Sequence, residues 1–272
     1  MFDRKKYIIL MFCILLPLIS IFANPVMEKP QYSQWDYIHT VLFDHRHPDS
    51  SPKLEMALSL FQINRPPEQA AFFNKILYAS DDPISYKDRV IQEHINSYRD
   101  LTTHLEELGV GNPPMPGFDW QYSEKVILIS PMNRGIVIER TKETYTGGAH
   151  SMRIRQYFVI DLESLKLLKI DDFFSDYRGE RMRSLIYEKL RKYSSLEENQ
   201  PLSEGIYFDD EPELTSNFYV KKEGLVLHWD PYEIAPYSEG TIQITLPWKD
   251  IRRLMLHSGM ELLTKFGIYL FV

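Results

Sequence analysis

The stretch GIVIERTKETYTGGAHSMRIRQYFVIDL, Gly135–Leu162, decides the fold class. Its first run places Ile136, Ile138, Arg140, Lys142 and Thr144 on one face of an extended chain. Val137, Glu139, Thr141, Glu143 and Tyr145 lie on the other. Neither face is apolar throughout, which predicts a partly solvated antiparallel strand rather than the buried run of a parallel sheet. RIRQYFVI then returns as a second strand. Between the two runs Gly147 and Gly148 stand side by side, suited to positive φ or a bulge at a hairpin turn. A phosphate loop is a poor reading, because no Lys-Ser/Thr pair follows the glycines and a strand, not a helix, comes next. His150 has no Cys, His or acid beside it in sequence, so its first reading is structural, bonded across the loop or presented at its rim.

Outward from this hairpin, strands and helices come in blocks. LEMALSLFQI (54–63) alternates as a strand. Pro66 and Pro67 open a helix with Ala70, Phe73, Ile76 and Leu77 on one stripe. A longer helix over about 85–108 aligns Val90, Ile91, His94, Ile95, Tyr98, Leu101 and Leu105, and Gly109 closes it. GVGNPPMPG is a linker, and WQYSEKVILISPMN opens the β-rich part. Further on, RGERMRSLIYEKLRKY (178–193) is an amphipathic helix, FYVKKEGLVLHWDPYEI a hairpin, TIQITLPW a strand, and DIRRLM a short closing helix. Blocks of this kind, without βαβ alternation, predict an α+β fold. Helices would pack on antiparallel sheets in two consecutive helix-plus-hairpin units, 53–170 and 171–272, after an irregular segment over 24–52.

The first 23 residues differ from the rest. MFDRKK is basic, and 17 uncharged residues from Tyr7 to Ala23 follow. Together they read as a secretory signal peptide, with an uncleaved membrane anchor as the rival. The lone cysteine, Cys13, falls inside this run, so an exported mature chain would rely on its core without disulfides. Removing 1–23 takes three basic residues and one acid from 31 and 38, leaving 28 against 37, a net −9. Such an acidic balance argues against nucleic acid and anionic membrane and suits a cationic partner. The membrane enters only if the first segment is retained.

The densest acidic patch is Asp209, Asp210, Glu211 and Glu213, read either as a solvated loop or as a docking surface for a basic protein. YFDDEPE resembles a polysaccharide deacetylase signature, but Glu211 stands where that signature has Gly, and the paired motif is out of order. His45 and His47 share a strand face without an ordered third ligand, too little for a metal centre. No nucleophile elbow, zinc helix or cysteine nucleophile is present. Carboxylates are abundant, but sequence does not pair them across space, so an enzyme is unsupported rather than excluded, and no catalytic residue, metal or cofactor is assigned. A carboxylate or His-metal hydrolase or deacetylase is kept as the alternative.

Three features in order, the strand with its YTGGAH loop and returning strand, the helix at 178–193, and FYVKKEGLVLHWDPYEIAPYSEGTIQITLPWKDI, resemble the RsiV/PdaC-type extracytoplasmic domain family over about 53–256. That resemblance implies an α+β binding module of the bacterial envelope. Its settings are the outer domain of a lysozyme-sensing anti-sigma factor and the N-terminal module of a peptidoglycan deacetylase. Six residues precede the apolar run, so an anti-sigma role is not expected here. The resemblance implies instead an exported, periplasmic or extracellular, non-enzymatic module for lysozyme-like cationic proteins or peptidoglycan. A membrane-anchored structural role is the further alternative. The candidate binding residues are Tyr145, Gly147, Gly148, His150, Tyr232 and Tyr237, whose loop tyrosines offer contact area at low entropy cost, together with Asp209, Asp210 and Glu211.

Overall fold

A computed structural model describes residues 31–43, 48–49, 51–109 and 118–270. The segment 1–23 expected to be a signal peptide and the His45/His47 pair lie outside the described residues. The chain runs β1 (Gln31–Leu42), β2 (Lys53–Arg65), α1 (Pro67–Tyr78), α2 (Pro83–Glu107), β3 (Trp120–Pro131), β4 (Gly135–Tyr145), β5 (Met152–Asp161) and β6 (Lys166–Leu168). After these come α3 (Glu180–Tyr193), β7 (Phe218–Lys221), β8 (Gly224–Trp229), β9 (Ile242–Pro247), α4 (Trp248–Ile251) and α5 (His257–Lys265). The fold is α+β. Strands β1 to β6 form one six-stranded sheet in sequence order, and β7 to β9 form a three-stranded antiparallel meander.

Alternation in β2 explains the first core. Leu54, Met56, Leu58 and Leu60 are buried, while Lys53, Glu55, Ala57 and Ser59 take the opposite face. Pro67 sits in the first turn of α1, where its missing N–H costs nothing, and Ala79 in the left-handed conformation ends the helix. At the start of α2 the Asp82 carboxylate accepts the Ser85 N–H (2.8 Å) and hydroxyl (2.7 Å), which holds its pKa below the ordinary aspartate value. Phe73, Leu77 and Tyr78 from α1 and Tyr86, Val90, Ile91 and Tyr98 from α2 then cover the β2 face.

One ionic cluster lies under this layer. Glu124 on β3 is 1 % exposed and meets the Arg140 guanidinium at 3.0 Å, with hydroxyls donated by Tyr86 and Tyr122. Arg140 also lies against the rings of Tyr78, Tyr86 and Phe158. A buried carboxylate held this fully ties α2 to the sheet.

Three expectations are corrected. Residues 24–52 are not irregular throughout, because Gln31–Leu42 is an edge strand antiparallel to β2. Its signal is the alternation of Trp35, Tyr37 and Val41, which pack on the first core. The large sheet is not purely antiparallel, because β2 and β3 are parallel, α1 and α2 carrying the chain back before β3 begins. The closing helix after β9 is also two helices, α4 and α5, rather than one.

Strands β4 and β5 are the hinge of the architecture. Ile136, Ile138, Phe158 and Ile160 belong to the first core, while Val137 and Val159 belong to a second one. That second core gathers Met182, Ile186 and Leu190 of α3, Leu225 and Leu227 of β8, Ile244 and Leu246 of β9, and Leu263 of α5. The sheet is thus covered on both faces at its β4–β5 end. Beside β1, β2 and β3 the second face stays open as a groove of about 670 Å³ whose lining includes Thr40, Glu55, Gln121, Ser123 and Tyr145.

Strand β6 pairs only with Val159–Asp161, so among the described residues the first half of β5 has β4 on one side and no paired strand on its outer edge. Side chains take over. Asn217 Oδ1 accepts the Tyr157 N–H at 3.0 Å and its Nδ2 donates to the Arg155 carbonyl at 2.6 Å. One amide side chain thereby copies a strand's peptide group and locks the second unit to the first.

Candidate functional site

The β4–β5 hairpin turns as its glycines suggest, with φ of 95° at Gly147 and 101° at Gly148. A Cβ at Gly148 would meet nothing within 4 Å, so backbone conformation rather than space requires glycine there. The Tyr145 hydroxyl donates to the Gly148 carbonyl at 3.1 Å and braces the loop. Beyond the turn, His150 Nδ1 donates to the Ser151 carbonyl at 3.0 Å, which leaves Nε2 facing outward.

The second unit meets this tip. Tyr237 stacks on the His150 ring with centroids 3.5 Å apart and planes at 12°, and its hydroxyl donates to the Ser151 carbonyl at 2.7 Å. Tyr232 brings its hydroxyl to 3.4 Å from His150 Nε2, and its ring lies 5.7 Å from that of Tyr237. The result is a three-ring cluster, with Tyr232 50 % exposed. Six candidate residues, Tyr145, Gly147, Gly148, His150, Tyr232 and Tyr237, therefore come together.

A polar relay beneath the rings fixes their loop. The two carboxylate oxygens of Asp230 each accept the Arg155 N–H at 3.0 Å, and His228 Nε2 donates to Oδ1 at 2.9 Å. Gln243 Nε2 donates to the other ring nitrogen of the wholly buried His228 at 2.9 Å, so both ring nitrogens are bonded within the relay. Glu233 accepts the Asp230 N–H at 2.6 Å, and the Tyr232 N–H reaches the Ala235 carbonyl at 3.1 Å. These bonds hold Tyr232 at a φ of 71°, a left-handed conformation that costs a non-glycine residue about 1–3 kcal/mol and needs such support.

The acids predicted for binding, Asp209, Asp210 and Glu211, do not join the ring cluster. Asp210 accepts the Ser203 hydroxyl (2.6 Å) and N–H (2.9 Å), which holds its pKa below the ordinary value; Asp209 accepts the Glu211 N–H; Glu211 pairs with Arg183 at 3.3 Å. Yet the two loops run side by side, because the Phe208 N–H donates to the Ile234 carbonyl at 3.0 Å. Phe208, 55 % exposed, is a surface aromatic that sequence reading missed. Its position beside the acidic run was the only available signal. Glu143 was missed too. Arg153, at 2.8 and 3.1 Å, and the Ser151 hydroxyl, at 2.8 Å, depress its pKa and neutralise the hairpin.

Stacked rings and hydroxyls thus share one surface with a carboxylate-bearing loop beside it. Among the described residues His150 meets a carbonyl, a hydroxyl and two rings. Among the described residues no group of three or more His, Cys, Asp or Glu is placed to hold a metal ion. No helix among the described residues is long and apolar enough to cross a membrane.

Residues 171–249 match a family model described as a protein of unknown function (DUF3298). Two solved structures share the fold. A DUF3298 family member from Bacteroides fragilis is 20% identical, with 84% of this chain and 94% of that one covered at a TM-score of 0.74. A DUF3298 family protein from Pseudomonas aeruginosa is 14% identical, with 84% and 96% covered at a TM-score of 0.54. No curated protein matches the sequence.

Proposed function

We propose that this protein is an exported, non-enzymatic binding module of the bacterial envelope, and that its ligand is a cationic protein of the lysozyme kind. The observation that carries this reading is the ring cluster of His150, Tyr232 and Tyr237, contributed by both units and flanked by an acidic loop. Exposed tyrosines at a fixed loop supply contact area with little entropy to lose. Asp209, Glu211 and Glu213, on the loop that the Phe208 N–H bonds to the Ile234 carbonyl, supply a field for a basic partner that Arg183 and Arg178 offset in part. The resemblance to the RsiV/PdaC-type domain points the same way. The basic N-terminus followed by an apolar run supports export.

Calorimetric titration with hen lysozyme, at low and at physiological salt, tests the proposal. Saturable one-to-one binding that survives physiological salt is expected, and a Tyr232→Ala, Tyr237→Ala double variant should weaken it by tenfold or more, about 1.4 kcal/mol. Binding confined to low salt, and matched by cytochrome c, would reduce it to unspecific charge attraction.

A further inference from the structure

The exposed edge of β1 is a second interaction surface. The Phe43 N–H donates to the Pro52 carbonyl at 3.0 Å, continuing the register in which Leu42 faces Lys53 and Val41 faces Leu54. Antiparallel alternation then points the backbone groups of residues 33, 35, 37, 39 and 41 at β2. Those of Gln34, Asp36, Ile38, Thr40 and Leu42 point away from it. Among the described residues no strand pairs with that outer edge. An open row of this length normally carries lysine, proline or a bulge to discourage pairing. Across its 12 residues, β1 has no Lys, Arg, Pro or Gly and one formal charge, Asp36. Its only irregularity is at Gln31/Tyr32, the far end. Ile38, mid-strand, is 79 % exposed.

We infer that β1 pairs with β1 of a second copy, antiparallel about a twofold axis at Ile38, joining two six-stranded sheets into one. The strand's self-complementarity selects this occupant. A twofold axis perpendicular to the sheet keeps each face on its own side, so residues of equal parity must meet. Centred on Ile38, the open face pairs Ile38 with Ile38 and Asp36 with Thr40. The core face pairs Trp35 with Val41 and Tyr37 with His39. No like charges meet, and the half-buried Trp35, Tyr37 and Val41 at the rim of the first core gain apolar neighbours. Centring on Tyr37 instead would set the exposed Ile38 against Asp36. The residues with free backbone groups would exchange roughly ten main-chain hydrogen bonds, the number a typical interface carries. The His150–Tyr237 cluster is built from the β4–β5 turn and the second unit, so the two surfaces use different residues.

Light scattering coupled to size exclusion, over the micromolar range, reads the outcome. The protein should run at twice its monomer mass. Ile38→Lys should shift it to monomer, weakening association by roughly tenfold or more, with unchanged circular dichroism. On a Cys13→Ser background, Ile38→Cys should be joined to itself by a short thiol cross-linker, which does not depend on the lysine variant folding. A monomer at every concentration would overturn the inference, whether an earlier segment of the chain covers the edge or nothing does. A dimer that persists in Ile38→Lys without a 38–38 cross-link would overturn it in favour of another surface.

Discussion

Asp230 accepts hydrogen bonds from two directions, the Arg155 N–H on the sheet edge and the buried His228. Replacing it with alanine strands both donors, so Asp230→Ala should cost about 2–4 kcal/mol, read as a fall in the urea midpoint. It should also release Tyr232 from its left-handed conformation. At this scale the sequence was only partly legible. The glycine pair declared the turn, because a need for positive φ is written in residue type. His150 did not declare its partners, since Tyr232 lies 82 residues away and Tyr237 reaches the neighbouring Ser151 across 86. The stack that turns a lone histidine into part of a surface is a tertiary contact without a local pattern.

Between elements, Lys265 at the end of α5 reaches back to Asp161 at 2.8 Å, 104 residues earlier in the chain, and to Glu163 at 2.7 Å. Burial opposes ionisation of Asp161, but bonds from Lys265, the Ser164 hydroxyl and the Glu163 N–H outweigh it, and the pKa falls below the ordinary value. A carboxylate with a depressed folded pKa stabilises the protein above its unfolded value, near 4, and that contribution disappears as pH drops through the folded one. Lys265→Met should therefore cost about 1.5–3 kcal/mol at neutral pH and progressively less below about pH 4. Thermal melts across the acid range check it; a constant gap between variant and wild type would refute the linkage. Sequence periodicity located β2, α1, α2, α3 and the β7–β8 hairpin, each with a strong apolar rhythm. It passed over β1, whose aromatic alternation is interrupted by His39, and could not reveal the parallel β2–β3 pairing, which α1 and α2 impose from outside the strands.

Over the whole molecule, the two cores share a wall. Val137 and Ile138 are neighbours in sequence yet belong to different cores. Loss of either core would expose one face of β4 and β5, so the described fold should unfold as one cooperative transition. Calorimetry should give equal van't Hoff and measured enthalpies, with Val137→Ala and Ile138→Ala each lowering a single melting temperature. Two separable transitions would mean that the units stand alone. This shared wall also places the β4–β5 hairpin against loops of the second unit, and so creates the ring cluster.

Hydrogen exchange of the protein with and without saturating hen lysozyme, at physiological salt, tests the proposed face most directly. New protection concentrated at 145–151, 207–213 and 230–240 is the predicted result. Protection absent from those three loops, or located elsewhere, would contradict the assignment of the His150–Tyr232–Tyr237 surface as the binding site.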